Sequence, residues 1–313
     1  MNFNYDVLDS TEKIIFALRS LYMEYGYTQY RMGKFEEYDL YSKNKDFLVS
    51  DSVITFTDTN GKLMALKPDV TLSIIKNNKD NPDSIQKLCY NENVYRVSKG
   101  TNTFKEIMQT GLECIGNINE KCVGEVLLLA AKSLETVSND FVLEVSNLSI
   151  LSSFIESVSE SYSVKQSLIK CVGEKNMHGI LKICKENGIS EENAQSLKKL
   201  VSTYGAPEKV LPELKEICSG KNIDEEITLL ENTLKVFSDT DLYKKIQIDF
   251  SAVGDMNYYN GIIFKGFVAG IPESVLSGGQ YDKLMKKMGK KSKAAGFAVY
   301  IDLLERIGGA DIG

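Results

Sequence analysis

Four short stretches gather polar groups at the ends of runs with strand character. In "LKPDVT" (66–71), Asp69 and Thr71 stand two apart and share a face if the segment is extended. In "VYRVSKGTNTFKEIMQTGLE" (94–113), a strand, a polar loop and a returning strand carry Arg96, Lys105, Gln109 and Glu113. Gln109, Gly111 and Glu113 alternate there, so the two side chains share a face and the glycine leaves it open between them. The third stretch, "MNYYNGIIF" (256–264), brings Tyr258 and Tyr259. The fourth, "SGGQYDKLMKKMG" (277–289), opens a helix with Gly278, Gly279, Gln280, Tyr281 and Asp282, as the mouth of an enzyme pocket would. Position 280 poses a chemical question, because a cation there would do far more for a phosphate than a glutamine can. Taken one at a time, each stretch has a plain structural reading: a turn aspartate after Pro68, a solvated arginine, one core and one surface tyrosine, a glycine turn.

The elements that must position these groups are legible in outline. "LDSTEKIIFALRSLYMEYGY" predicts an amphipathic helix, capped by Asp9 with Glu12 three residues on and closed at Gly26. "VITFTDTNGKLMALKPDVT" predicts a hairpin with a type I′ turn at Asn60-Gly61, its second strand running into Lys67-Pro68-Asp69. "KLCYNENVYRV", "TFKEIMQTGLECIG" and "FVLEVSN" read as strands, with a helix over "GEVLLLAAKSLETV" between the last two. From about residue 147 to 242 apolar residues recur at helical spacing between lysines and glutamates, which predicts an all-helical block. Strands return with "KIQIDFSA", "NYYNGIIFKGFVAG" and "AAGFAVYI", followed by the short helix "IDLLERI". The expected class is α+β: residues 1–146 and 243–313 form a mostly antiparallel sheet flanked by helices, and residues 147–242 form a helical insertion.

Bulk properties exclude several functions. With 313 residues and 43% hydrophobic content the chain can bury a substantial core without staples. The absence of a long apolar run and of a signal-like start makes a cytoplasmic protein with no membrane segment the expectation. The six cysteines form no C-x-x-C pair and have one histidine, His178, beside them, so neither a zinc site nor a disulfide framework is expected. A single histidine in "KNMHGI", on a predicted helix surface, also offers no Ser-His-Asp or Cys-His centre. A net charge of −6 repels polyanions, and the lysines of "KKMGKKSK" lack interleaved aromatics, so no nucleic-acid surface is expected.

Taken in their order along the chain, the four stretches resemble the catalytic domain of class II aminoacyl-tRNA synthetases, and within it histidyl-tRNA synthetase. "VYRVSKGTNTFKEIMQTGLE" is similar to motif 2 of that family, "MNYYNG" and "SGGQYDKL" to its two histidine motifs, and "AAGFAVYIDLL" to motif 3. The resemblance covers nearly the whole chain and implies the class II synthetase fold with a helical insertion. It also implies that Asp69, Thr71, Arg96, Gln109, Glu113, Tyr258, Tyr259 and Tyr281 surround a bound histidine. In such a pocket carboxylates receive the α-amino group, Glu, Gln and Tyr surround the imidazole, and Arg96 meets the carboxylate.

The departures from the family are systematic. Ser98 stands where motif 2 carries a glutamate that reads adenine, and Asp302-Leu303 where motif 3 ends on an arginine. Gly254 and Gln280 replace arginines of the two histidine motifs, Lys67 replaces an arginine, and Asp255-Met256-Asn257 replaces Gly-Leu-Asp. Adenylate formation depends on fixed cations that offset charge on the phosphates, and losing one such donor costs about two to three orders of magnitude in rate. Losing several predicts no activation, no catalytic residues, no metal and no cofactor. A glutamine at 280 is then tolerable because no phosphate needs neutralising there.

A synthetase-like body that ends after motif 3, without an anticodon-binding domain, resembles the regulatory subunit of ATP phosphoribosyltransferase. That resemblance implies a non-catalytic role in the first step of histidine biosynthesis. The expected partner is a short-form catalytic subunit, which the chain activates and subjects to feedback inhibition by L-histidine. A homodimer formed through residues 1–45 and a hetero-octamer built on it are implied as well. Two alternatives stay open on the sequence: a degenerate synthetase or ligase that forms an aminoacyl adenylate, and a small-molecule sensor unrelated to histidine synthesis.

Overall fold

Helix α1 (Ser10–Glu24) begins where its capping signal lies: the Glu12 amide donates to Asp9 Oδ1 at 2.7 Å and the Asp9 amide to Glu12 Oε2 at 3.1 Å. The reciprocal pair satisfies two amides that the helix itself cannot reach. Ile15, Leu18 and Tyr22 are buried along one side, and Gly26, at φ +83°, closes the element. The computed structural model describes residues 7–48, 53–98, 101, 103–251 and 258–308.

After β1 (Thr28–Gln29) come β2 (Phe35–Glu37), α2 (Tyr38–Ser42), β3 (Thr55–Thr57) and β4 (Leu63–Leu66). The last three strands form a small antiparallel sheet in the order β2-β4-β3. The β3–β4 connection is a hairpin, but the expected type I′ turn is absent. That turn needs positive φ at both central residues, whereas Gly61 has φ +79° and Asn60 is not among the described residues with positive φ. The Asp58 side chain decides the shape by accepting from the Asn60 and Lys62 amides, each at 2.8 Å. A second correction concerns "KPDVT", which is not extended through Thr71. Asp69 caps α3 (Val70–Asn77), accepting from the Leu72 amide at 2.8 Å, and this places Thr71 in the first helical turn.

The main sheet has nine strands among the described residues, in the order β1-β5-β6-β12-β11-β10-β7-β9-β8. Its long hairpin is β5 (Ile85–Val97) against β6 (Phe104–Gly116), followed by α4 (Glu120–Val137) and β7 (Phe141–Asn147). A run of six helices comes next: α5 (Leu148–Val158), α6 (Tyr162–Gly173), α7 (Met177–Glu186), α8 (Glu191–Ser202), α9 (Pro207–Ile217) and α10 (Asp224–Leu234). His178 is exposed on α7. The stretch expected to be all-helical also contributes one strand, the two-residue β8 (Tyr204–Gly205), which pairs with β9 (Ile246–Asp249). β9 runs parallel to β7, a pairing that requires a long crossover between them, and the helices supply it. The sheet is completed by β10 (Ile262–Val268), β11 (Leu276–Gln280), α11 (Asp282–Lys287) and β12 (Lys293–Tyr300), with α12 (Ile301–Gly308) last.

Alternation sorts the two faces of the sheet. Leu112 and Cys114 of β6 enter the main core with α1 and α4. On β10 a Cβ at Gly266 would lie 2.6 Å from Leu134 Cδ1, so the glycine lets α4 lie close against that side. Tyr22 of α1 bridges to Ser133 of α4 at 3.0 Å between hydroxyls. Gln109 and Glu113 project to the opposite side, where the sheet is covered in part by α3 and α11. The six cysteines are free thiols, no metal-ligating cluster occurs among the described residues, and no described helix is long and apolar enough to cross a membrane.

Candidate ligand-binding site

On that second face lies a cleft of about 500 Å³. Asp69 and Thr71 reach it from the start of α3, Arg96 from the end of β5, and Gln109 and Glu113 from β6. Tyr258 and Tyr259 enter from the segment before β10, and Tyr281 from the junction of β11 and α11. All eight residues singled out in the sequence therefore line one concavity.

Glu113 is the hub of the site. Its side chain is buried; Thr71 Oγ1 donates to Oε1 at 2.7 Å and the Tyr281 hydroxyl donates to Oε2. Burial pushes the Glu113 carboxyl up to about 8, with Asp69 adding to the rise and the two hydroxyls opposing it. Asp69 is also raised by its removal from water, against the pull of the Leu72 amide and of Arg96. Arg96 is held by its Nε donating to the Pro68 carbonyl at 3.1 Å, which fixes the guanidinium beside Asp69. The Tyr258 ring centre lies 4.6 Å from that of Tyr259 and 5.9 Å from that of Tyr281, forming an aromatic wall. Such an arrangement offers a carboxyl, an amide and phenols to a small ring bearing N–H groups, with a carboxylate and a guanidinium beside it for a zwitterionic head.

Two glycines set the floor. A Cβ on Gly296 of β12 would lie 1.8 Å from Glu113 Oε2 and 2.4 Å from the Leu112 carbonyl, so the carboxyl can occupy its place only above a glycine. The gap over Gly111, expected to be open, is filled: a Cβ there would meet the Tyr90 hydroxyl at 2.6 Å and the Phe297 carbonyl at 2.1 Å. Tyr90 comes from the neighbouring strand β5 and lines the cleft itself.

The substituted positions have acquired structural tasks. Gln280 Oε1 accepts from the Ile262 amide at 2.8 Å and caps the start of β10. Asp302 Oδ1 accepts from the Met108 amide at 2.7 Å, Leu303 packs against the main core, and the Ser98 amide donates to the Thr103 carbonyl at 2.8 Å. None of Ser98, Gln280 and Leu303 lines the cleft, whose cations among the described residues are Arg96 and Lys265. Gly254, Asp255, Met256 and Asn257 lie outside the described residues. Lys67 is fully buried and its ammonium pairs with Glu92 at 2.9 Å, so that charge is committed to the β4–β5 junction. Removing one partner of a buried pair strands the other charge. Lys67→Met is accordingly expected to cost about 3 kcal/mol, read from urea unfolding, and a cost near zero would show that Glu92 finds water instead.

Sequence reasoning missed Tyr90 and a group on the far strands: Glu144, Ser146, Lys265, Ser277 and Tyr300 also line the cleft. The signal available was alternation, since Glu144 and Ser146 interrupt "FVLEVSN" at every second residue and Lys265 does the same in "IIFKGFV".

The fold and this pocket define a histidyl-tRNA synthetase-like protein: residues 7–304 match the family model of histidyl-tRNA synthetase. A solved structure from Bacillus halodurans C, described as an ATP phosphoribosyltransferase regulatory subunit/histidyl-tRNA synthetase, superposes with a TM-score of 0.82 at 23% identity, over 97% of this chain and 82% of that one. Within that class the chain belongs to the family of ATP phosphoribosyltransferase regulatory subunits, being 31% identical over 289 residues to the one from Caldanaerobacter subterraneus subsp. tengcongensis, across 91% of this chain and 75% of the relative. The same fold occurs in the ATP phosphoribosyl transferase (HisG:HisZ) complex from Thermotoga maritima, with a TM-score of 0.71 at 16% identity, over 93% of this chain and 97% of that one.

Proposed function

We propose that this chain is a non-catalytic regulatory subunit that binds L-histidine in the cleft and, in complex with a short-form ATP phosphoribosyltransferase catalytic subunit, both activates it and makes it sensitive to histidine. The observation that carries this reading is the contrast within one site. The groups around Glu113 are assembled and mutually bonded, whereas Ser98, Gln280 and Leu303 lie off the cleft wall and carry no charge. A pocket of this kind can hold an amino acid, yet among the described residues Arg96 is the one cation beside the amino-acid group, where adenylate formation needs several. Regulation then requires that histidine bind two states of the complex unequally, since equal affinity shifts nothing.

Homodimerisation through the N-terminal region belongs to the same reading. Phe35 and Phe56, exposed on one face of the small sheet, meet edge to face at 5.1 Å, an apolar pair of the kind found at interfaces. The hetero-octamer would be built on that dimer in the cytoplasm, with residues 147–242 as a distinct helical module.

The test is to mix the chain with a short-form catalytic subunit and follow phosphoribosyl transfer with and without histidine. Activity that appears on mixing and falls as histidine is added is the expected result. Absence of both complex and activation overturns the proposal, and histidine-dependent exchange of pyrophosphate into ATP by this chain alone would turn it into an adenylate-forming enzyme.

A further inference from the structure

The cleft has a second polar lobe to which the proposed function gives no task. Lys265 on β10 faces Ser277 on β11 and Glu144 on β7 as cross-strand neighbours. Ser277 faces Ala298 on β12, and Ala298 faces Gly111 on β6. One row of the sheet thus runs from the floor beneath the Glu113 group to Lys265 across three strand spacings, about 14 Å between backbones. A cleft of about 500 Å³ is in the range that holds whole cofactors and other sizeable ligands, larger than one amino acid requires.

The chemistry of this lobe is that of a donor set. Lys265 is half-buried, and among the described residues no carboxylate lies at ion-pair distance from its ammonium. Ser146, Ser277 and Tyr300 line the same wall, and the Ser277 and Tyr300 hydroxyls lie 2.6 Å apart. Glu144 is the one acid of the lobe; burial and then Asp249 raise its pKa, while Lys175 and Lys265 pull it the other way. A partly desolvated ammonium is stabilised when a counter-charge enters, and neighbouring hydroxyls can turn their protons toward the same oxygens.

We propose that this lobe is an oxyanion subsite, which takes the phosphate or carboxylate of a second small molecule beside the amino-acid pocket. It stands on the far side of the floor from the Glu113 group, and the proposal holds whether or not that group's ligand is histidine.

The experiment is calorimetric titration of the full chain with pyrophosphate and, separately, with succinate, on the native protein, Lys265→Ala and Lys265→Glu. At least one anion should saturate a single site per chain, about tenfold or more weaker in Lys265→Ala and undetectable in Lys265→Glu. Melting followed by circular dichroism should be unchanged in Lys265→Ala, whose side chain has no ion pair to lose, whereas Lys265→Glu sets a second carboxylate opposite Glu144 and should melt somewhat lower while remaining folded. Binding of pyrophosphate alone assigns a phosphate-bearing ligand, of succinate alone a carboxylate, and of both an unselective subsite. If neither anion binds the native protein, or if Lys265→Glu titrates as the native chain does, the subsite does not exist.

Discussion

Glu113→Gln is expected to weaken histidine binding about a hundredfold or more and to abolish the bell-shaped pH dependence expected of the native protein. Burial outweighs the hydroxyls of Tyr281 and Thr71 and pushes the Glu113 carboxyl up to about 8. A free imidazole titrates near ~6.5. When the two meet they share one proton, whichever of them formally carries it. Below about 6.5 both partners arrive protonated, so binding must expel a proton; above about 8 both arrive without one, so binding must take a proton up. Affinity therefore peaks between those values, and near neutrality the net exchange is close to zero. Titrations in buffers of different ionisation enthalpy read this directly, and an affinity that falls only above about 6.5, with no fall on the acid side, would show that Glu113 is ionised before histidine arrives.

The same carboxyl makes a stability prediction with a definite sign. Its folded-state pKa lies above the unfolded value of about 4.5, so the unfolded chain binds fewer protons between the two. The stability associated with the neutral form is complete below about 4.5 and is lost as pH rises through about 8. Glu113→Gln removes that slope, so native and variant chains should diverge in urea midpoint as pH rises from 6 toward 9.

Gly296→Ala is the second large effect. The new methyl would lie 1.8 Å from Glu113 Oε2 and 2.4 Å from the Leu112 carbonyl. The side chain could swing aside, but the carbonyl belongs to the neighbouring strand and cannot move without breaking the β6–β12 register. The expected cost is about 3 kcal/mol, as for overpacking in a rigid core, with histidine binding lost because Glu113 is displaced. Gly173→Ala is the matched control, since nothing lies within 4 Å of a Cβ at that helix end. Equal urea midpoints for the two variants would mean that β12 relaxes more freely than its hydrogen bonding implies.

Much of this architecture could be read from the sequence because the determining interactions are local or periodic. The Asp9–Glu12 box, the two long strands of motif 2 and the glycines of "SGGQYD" each carry their own signal. What escaped was set by partners distant in the chain or by competition between local options. Asp69 could end a strand or cap a helix, and the Leu72 amide decides for the cap. Asn60-Gly61 satisfies the pattern of one turn, yet the Asp58 carboxylate imposes another. Gly111 exposes a gap that only the β5–β6 register reveals to be filled by Tyr90. Lys265 and Glu144 are 121 positions apart in the chain and look like surface charges until the sheet order makes them neighbours on the cleft wall.

The attachment of α5 gears the cleft to the helices beyond it. β7, which carries Glu144 and Ser146 on the cleft wall, passes directly into α5. At that junction the Leu148 amide donates to the Gly261 carbonyl at 3.0 Å and Ser149 Oγ to the Asn260 carbonyl at 2.9 Å. The backbone that presents Tyr258 and Tyr259 is thereby bolted to the root of the helical body. Any displacement of those rings by an occupant is passed through these two bonds to the first turn of α5.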